Sequence, residues 1–245
     1  MYSKSRMSWL VVLVTLIAGL IVGVGPASAE GFLPVEGGEC RRSDCPVGAV
    51  WGNCRWVELP EGPVVWICDC ICVPPDVVLA PAGIGSVRSS RPAESYPGMA
   101  RVGFWGGDEN LGWLSFRLTY LPEREVKVGT VVLEDVSTQW ATDENASLVV
   151  ELIDLGSPPG NYWELSWPVP VTELLRLTTG EIWEMTNYYE EPINLPIPPA
   201  LLEERIARAR QNPDRRLIIR LRMEGATTNS LLDVGDAKLY IKWAD

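Results

Sequence analysis

The stretch "LGWLSFRLTYLP", residues 111–122, decides the fold. Successive side chains of a β-strand point to opposite faces of the sheet, so a strand with one buried face shows apolar residues at every second position. This stretch has that pattern: one face holds Leu114, Phe116, Leu118 and Tyr120, and the other holds Trp113, Ser115, Arg117 and Thr119. It predicts a strand with one face in a hydrophobic core.

The same period of two recurs between turn signals along the chain. It is present in "RRLIIRLRM" (215–223), which leaves Arg220 and Arg222 outward, and in "AKLYIKWAD" (237–245). The runs "VKVGTVVLEDV" (126–136) and "SLVVELIDL" (147–155) are also rich in β-forming residues. Only "PPALLEERIARARQN" (198–212) reads as a helix, with prolines in its first turn. We predict an all-β fold, an antiparallel jelly-roll-like β-sandwich over residues 99–245 with one short helix.

Residues 101–135, "RVGFWGGDENLGWLSFRLTYLPEREVKVGTVVLED", resemble the secreted β-sandwich modules called DNRLRE or disaggregatase-related domains. The resemblance covers most of residues 101–245. It implies a jelly-roll-like module on an exported protein, with carbohydrate binding as the expected role. The aspartate of that family's "FDLS" is replaced here by Arg117 in "FRLT". No active-site residue is carried over, because the shared pattern contains none.

The first 29 residues have the organisation of a secretory signal peptide. A short basic start precedes an apolar run over residues 9–24, and residues 27–29, "ASA", form a small-x-small cleavage pattern. We predict cleavage between Ala29 and Glu30, and a mature protein that is secreted or held at the cell surface. The alternative is a retained membrane anchor, because the apolar run is long for a signal peptide. No later stretch has the ~20 apolar residues of a membrane helix.

The composition excludes several functions. The chain has 21 Lys and Arg, 32 Asp and Glu, and no histidine. The predicted signal peptide holds two basic residues and no acidic ones, so 19 basic against 32 acidic residues leave a net charge of −13. Such a surface repels nucleic acid and anionic lipid. The absence of histidine excludes serine–histidine–acid catalysis and histidine-ligated zinc sites.

All six cysteines lie within one short segment. They are Cys40, Cys45, Cys54, Cys68, Cys70 and Cys72. A cysteine-dense module of an exported chain is usually cross-linked. Zinc binding and thiol redox chemistry are the alternatives, but both typically use CxxC pairs, which this chain lacks. We predict a small disulfide-rich β-hairpin module over residues 30–75.

The alternation of Cys68, Cys70 and Cys72 restricts their pairing. Residues two apart in a strand have parallel Cβ vectors and lie about 6.6 Å apart, so each of the three is expected to pair with an upstream cysteine. The stretch from Cys54 to Cys68 predicts a hairpin that turns at residues 60–62. Its register favours a Cys54–Cys68 disulfide and leaves the other two pairings open.

The segment between the two predicted folded parts, residues 76–98, is dominated by proline, glycine, serine and alanine. No apolar period survives there, which predicts a linker. The predicted order is therefore a signal peptide (1–29), a cysteine-rich module (30–75), a linker (76–98) and a β-sandwich (99–245).

Residues 161–191 hold many aromatic side chains with a weak strand pattern. Aromatic rings offer apolar faces with polar edges, which suits stacking against sugar rings, and nearby glutamates can accept hydrogen bonds from hydroxyl groups. The candidate ligand-binding residues are Trp163, Trp167, Trp183, Tyr188, Tyr189, Glu181 and Glu184. The alternative is that the aromatic side chains plug the ends of the sandwich and the glutamates are solvated.

The turn "GGDENLG" (106–112) is a weak candidate for calcium binding through Asp108, Glu109 and Asn110, which supply hard oxygen ligands. It lacks the regular alternation of a calcium loop, so an ordinary polar turn is the alternative. No other cofactor is indicated by the sequence.

Three functions fit these features. The first is a non-catalytic module that binds extracellular or envelope polysaccharide. The second is a structural or adhesive surface protein that engages a protein partner or assembles with itself. The third is a glycan-active enzyme, which would need two carboxylates at a set separation. The sequence offers many acids and no means of choosing such a pair.

Overall fold

The computed structural model describes residues 45–58, 64–140, 146–167, 169–188, 192–226 and 229–245, with the backbone alone at 50–58, 64–70, 139–140 and 187–188. The predicted signal peptide lies outside these ranges. Strands are β1 (Ala49–Glu58), β2 (Val64–Cys72), β3 (Val77–Leu79), β4 (Gly83–Arg88), β5 (Arg91–Pro97), β6 (Ala100–Trp105), β7 (Asp108–Phe116), β8 (Val126–Trp140), β9 (Ser147–Ile153), β10 (Val171–Thr178), β11 (Ile193–Ile197), β12 (Leu217–Glu224) and β13 (Ser230–Trp243). Helices are α1 (Tyr162–Ser166), α2 (Thr179–Trp183) with a following π-helical turn (Glu184–Tyr188), and α3 (Pro199–Gln211).

The described chain falls into two compact units. The smaller takes in Trp51–Ile71, and the larger takes in residues 45–50 and Cys72–Asp245. Strands β1 and β2 form a two-stranded sheet of their own. Cys45 and Cys72 are joined by a disulfide with their Cα atoms 5.0 Å apart, one of the pairings left open by the sequence. The favoured Cys54–Cys68 pair, with Cys40 and Cys70, lies outside the described side chains and stays a prediction.

The larger unit is built on one antiparallel sheet. Its strand order is β10-β9-β12-β7-β6-β13-β8-β11, with β4 and β5 branching from β7 and β3 pairing with β13. The two ends of this order, β10 and β11, approach each other, so the sheet is nearly closed around its core. Between them lies an open groove of about 420 Å³. The predicted all-β, antiparallel fold is therefore confirmed.

The core is filled from every second residue of the main strands. On β7, Leu114 and Phe116 are fully buried, and the inward residues of β12 and β13 join them. Each such side chain contributes about 1.5–3 kcal/mol through burial. Tyr120 was predicted on the same buried face, but it is exposed. Strand β7 ends at Phe116 and residues 119–120 form a turn, so the alternation does not extend to Tyr120.

The predicted linker over residues 76–98 is corrected by the structure, which places β3, β4 and β5 there. Strand β4 pairs with β7 and β5, and β3 pairs with β13. The glycines that suggested a linker have a packing role in β4. A Cβ added at Gly85 would lie 2.7 Å from the ring of Trp113, so the indole can cover this strand only where it has no side chain.

The prediction of one short helix is also corrected. The helix predicted over residues 198–212 is present as α3, but α1 and α2 were missed. Each has only five residues, too short for an apolar period, and each is fixed by its N-cap. The Asn161 side chain accepts from the backbone N–H of Glu164, and Thr178 and Glu181 form a capping box. The sequence signals were "NYWE" and "TTGE". No helix within the described ranges is long and apolar enough to cross a membrane.

Candidate functional site

Helix α1 lies on the outer face of the sheet, over a second hydrophobic cluster that is separate from the main core. Its Tyr162 and Leu165 are buried against outward-facing residues of the strands beneath, among them Leu111, Trp113 and Ile218. The neighbours of α1 are β4, β5 and β7. A helix of five residues is unstable alone, so this packing holds it in place.

The opposite side of α1 and its C-cap residue present two tryptophans to solvent. Trp163 is 55% exposed and Trp167 is 66% exposed. They are four residues apart, a spacing that places side chains on one helix face. The N–H of Trp167 donates to the carbonyl of Trp163 at 3.1 Å, and the Trp163 ring packs edge-on against Tyr162. We call Trp163 and Trp167 the tryptophan pair.

The other predicted platform residues do not join this pair in one cluster. Trp183 is 49% exposed, but it belongs to α2, whose Ile182 enters the main core and whose neighbours are β10 and the π-helical turn. Glu181 is held by Thr178 as part of the helix cap, which lowers its pKa, and Glu184 is exposed at the end of α2. The side chain of Tyr188, and all of Tyr189, lie outside the described residues.

The calcium candidates are directed to separate partners. Asp108 accepts hydrogen bonds from the side chains of Ser89 and Ser90 and from the N–H of Ser90. Glu109 faces the other side of the strand and accepts from the Tyr162 hydroxyl. Asn110 donates to backbone carbonyls. In the part of the chain that the structure describes, no three acidic or cysteine side chains lie close enough to hold a metal.

The bond from Tyr162 to Glu109 ties α1 to the start of β7. Burial raises the pKa of Tyr162, and the adjacent carboxylate raises it further, so the phenol stays a donor at neutral pH. We expect Tyr162→Phe to lower the free energy of unfolding by roughly 1–2 kcal/mol, as measured by urea denaturation. Tyr120→Phe, which changes an exposed tyrosine, is the matched control and should have no measurable effect. Equal effects from the two variants would contradict this role for Tyr162.

A buried ion pair holds the other end of α1. Arg220 on β12 and Glu151 on β9 are 7% and 3% exposed, and Arg220 Nε donates to the Glu151 carboxylate at 2.7 Å. A second N–H of Arg220 donates to the carbonyl of Leu165 in α1. The guanidinium therefore satisfies a carbonyl of the helix's last turn, which has no partner within the helix.

The ion pair continues across the outer face of the sheet. Arg222 donates to Glu151 at 3.0 and 3.1 Å and pairs with Glu224. Arg176 on β10 pairs with Glu224 and with Glu173, the latter at 2.8 Å. Together, these contacts form a continuous row from the buried end to the exposed edge. We call it the charge ladder: Arg220, Glu151, Arg222, Glu224, Arg176 and Glu173.

The period of two in the sequence predicts Arg220 and Arg222 on the outer face but does not connect them to a site. The sequence signal for such a site was the alternating pattern of β12, "RLRME", which has a charged residue at every second position. The partners on β9 and β10 become visible only with the strand register, which sets Arg220 against Glu151 and places Arg222 and Arg176 on either side of Val149.

Comparison with protein-family models and with curated proteins finds no match to this chain. Its function is therefore argued from its own residues.

Proposed function

We propose that the chain is a non-catalytic carbohydrate-binding protein, and that the tryptophan pair is its platform. The observation that carries the proposal is the exposure of two indoles, one on α1 and one at its C-cap, next to a helix face that is buried. Exposed aromatic rings held in place lose little conformational entropy on binding, and they stack against the apolar faces of sugars.

The chemistry around the platform fits binding rather than bond cleavage. The nearby carboxylates are engaged by the protein itself: Glu109 by Tyr162, Glu164 by Asn161 and the N–H of Gly160, and Glu151 by arginines. A glycosidase needs one carboxylic acid with a raised pKa beside a second, ionised carboxylate. Of these three groups, Glu151 has a pKa that is lowered.

The setting that we propose for this function is outside the cell, at the surface or in the medium, after signal cleavage between Ala29 and Glu30. The resemblance of residues 101–245 to DNRLRE-type modules supports this setting and a jelly-roll-like connectivity of the sheet. The cysteine-rich segment before Val73 would then be a disulfide-stapled module, which suits an oxidising compartment. Peptide mapping of the oxidised protein tests the predicted Cys54–Cys68 bond.

The test is binding to a panel of polysaccharides by glycan array and affinity electrophoresis, with single alanine substitutions. We expect Trp163→Ala and Trp167→Ala each to weaken binding about tenfold, equivalent to roughly 1.4 kcal/mol. Trp183→Ala is the matched control, since it removes a similarly exposed indole from a different helix, and it should leave affinity unchanged.

Two results would contradict the proposal. One is binding that survives loss of both tryptophans of the pair. The other is the absence of glycan binding by a protein that sediments as a polymer or with cell envelopes, which would favour the structural or adhesive alternative.

A further inference from the structure

The charge ladder begins beneath α1, the helix next to the tryptophan pair, and runs from there across β12 and β9 to β10. Arg220 donates to the carbonyl of Leu165, two residues before Trp167. Its partner Glu151 also accepts from Arg222, which leads outward to the exposed members of the ladder. The two features therefore lie on the outer face of the same sheet and are linked by the hydrogen bond from Arg220 to Leu165.

The ladder crosses three strands, and two of its arginines lie on one line across them. In the strand register, Arg176 on β10 and Arg222 on β12 lie on either side of Val149 on β9. Neighbouring strands are about 4.8 Å apart, so this row spans roughly 10 Å. Val149 is fully buried although it faces outward, as expected where long arginine stems cover it.

We propose that the charge ladder is the polar half of the glycan site, and that it selects neutral polysaccharides over acidic ones. This inference rests on the proposed function. The ligand is a neutral glycan chain that stacks on the tryptophan pair and runs across the exposed ladder residues.

The ion pairs within the charge ladder favour neutral glycans over acidic ones. Three arginines face three glutamates, and the two guanidinium groups outside the buried pair are already shared: Arg222 bonds Glu151 and Glu224, and Arg176 bonds Glu173 and Glu224. An anionic glycan would have to displace one of these carboxylates and would meet the others at close range. A sugar hydroxyl both donates and accepts, so it bonds a carboxylate and a guanidinium without breaking their pair.

The net charge of the whole protein also disfavours the binding of acidic glycans. The predicted mature chain carries −13, which repels polyanions at long range. Neutral chains feel no such field, so their binding should change little with salt.

The experiment is affinity electrophoresis of the full chain in gels that contain either neutral polysaccharides (glucan, mannan, xylan) or acidic ones (alginate, polygalacturonate). We expect retardation in at least one neutral gel and in no acidic gel. We also expect the neutral interaction to be the same at about 0.1 M and about 1 M salt. Retardation in acidic gels alone, weakened by salt, would overturn the selectivity and leave glycan binding standing. No retardation in any gel would overturn both.

The variant Glu224→Gln tests the contribution of the charge ladder independently of that of the tryptophan pair. It removes the carboxylate shared by Arg176 and Arg222, so affinity for the neutral ligand should fall about five- to tenfold. The matched control is Glu204→Gln, which neutralises a similarly exposed glutamate paired with Arg208 on α3, and it should match the wild type. Binding that is lost with Trp163→Ala but is equal in the two glutamine variants would refute the role of the ladder and keep that of the platform.

Discussion

Glu151→Ala is expected to lower the free energy of unfolding by about 3–5 kcal/mol, because it leaves the buried guanidinium of Arg220 without its counter-charge. Glu151 is the shared acceptor of Arg220 and Arg222, and its carboxylate is almost fully enclosed. Chemical denaturation followed by tryptophan fluorescence measures the change. Glu173→Ala removes a glutamate from the exposed end of the same ladder, and it should cost less than about 1 kcal/mol.

The dependence on pH gives an independent check. Burial favours the neutral form of Glu151, but the arginine hydrogen bonds prevail and hold its pKa below the ordinary 4.5. Because the native pKa is lower than the unfolded-state pKa, the stabilisation is complete above the unfolded-state pKa and is lost as pH falls through the native pKa. The gap between wild type and Glu151→Ala should therefore narrow as pH falls below 4.5. A gap of the same size in acid would contradict this account.

Replacing both members of the buried pair tests whether the loss of stability in Glu151→Ala comes from the unpaired charge. Glu151→Leu combined with Arg220→Met removes both charges and keeps similar volumes, so it should recover part of the lost stability, although Leu165 and Arg222 each lose a partner. If the double variant is as unstable as Glu151→Ala, the loss comes from packing rather than from an unpaired charge.

Gly103→Ala is expected to destabilise the protein by roughly 3 kcal/mol or more, from backbone strain and overpacking together. Gly103 lies in β6 with φ +119°, a conformation that residues with a Cβ rarely adopt. An added Cβ would lie 2.1 Å from the carbonyl oxygen of Ser230 on the paired strand β13. Differential scanning calorimetry measures the loss.

Gly106→Ala is the control for Gly103→Ala. Gly106 also has a positive φ, +61°, but nothing lies within 4 Å of its added Cβ. Its cost should be limited to the left-handed conformation, about 1–2 kcal/mol. If both substitutions cost the same, close contact with β13 is not what requires glycine at residue 103.

Much of the fold could be predicted because alternation is a local property. Over residues 236–243, strand β13 buries one face and turns the other towards solvent, so its sequence shows a period of two. The prediction from alternation was wrong where the local composition resembled a linker or where an element was too short to show a period. In β4, the glycines needed beneath Trp113 looked like linker residues, and α1 and α2 were hidden because a single turn is specified by a cap rather than by a period.

The candidate site was predicted in part, for the same reason. The tryptophans of α1 could be named from composition, but their separation from Trp183 depends on which cluster each helix packs against. The charge ladder was out of reach, since its members come from three strands far apart in the chain. Only pairing in space puts Arg176, Arg222 and Glu151 together.

Strand β13 follows all the others in the sequence, yet it lies between β6 and β8 and also pairs with β3. During synthesis, β3, β6 and β8 therefore lack this pairing partner until residues 230–243 have left the ribosome. We expect the sheet to close late in folding, because the pairings that close it join distant parts of the chain. A chain truncated before Ser230 would lack the strand that joins β6 to β8. We expect such a chain to remain unfolded, and to be bound by chaperones or degraded by proteases.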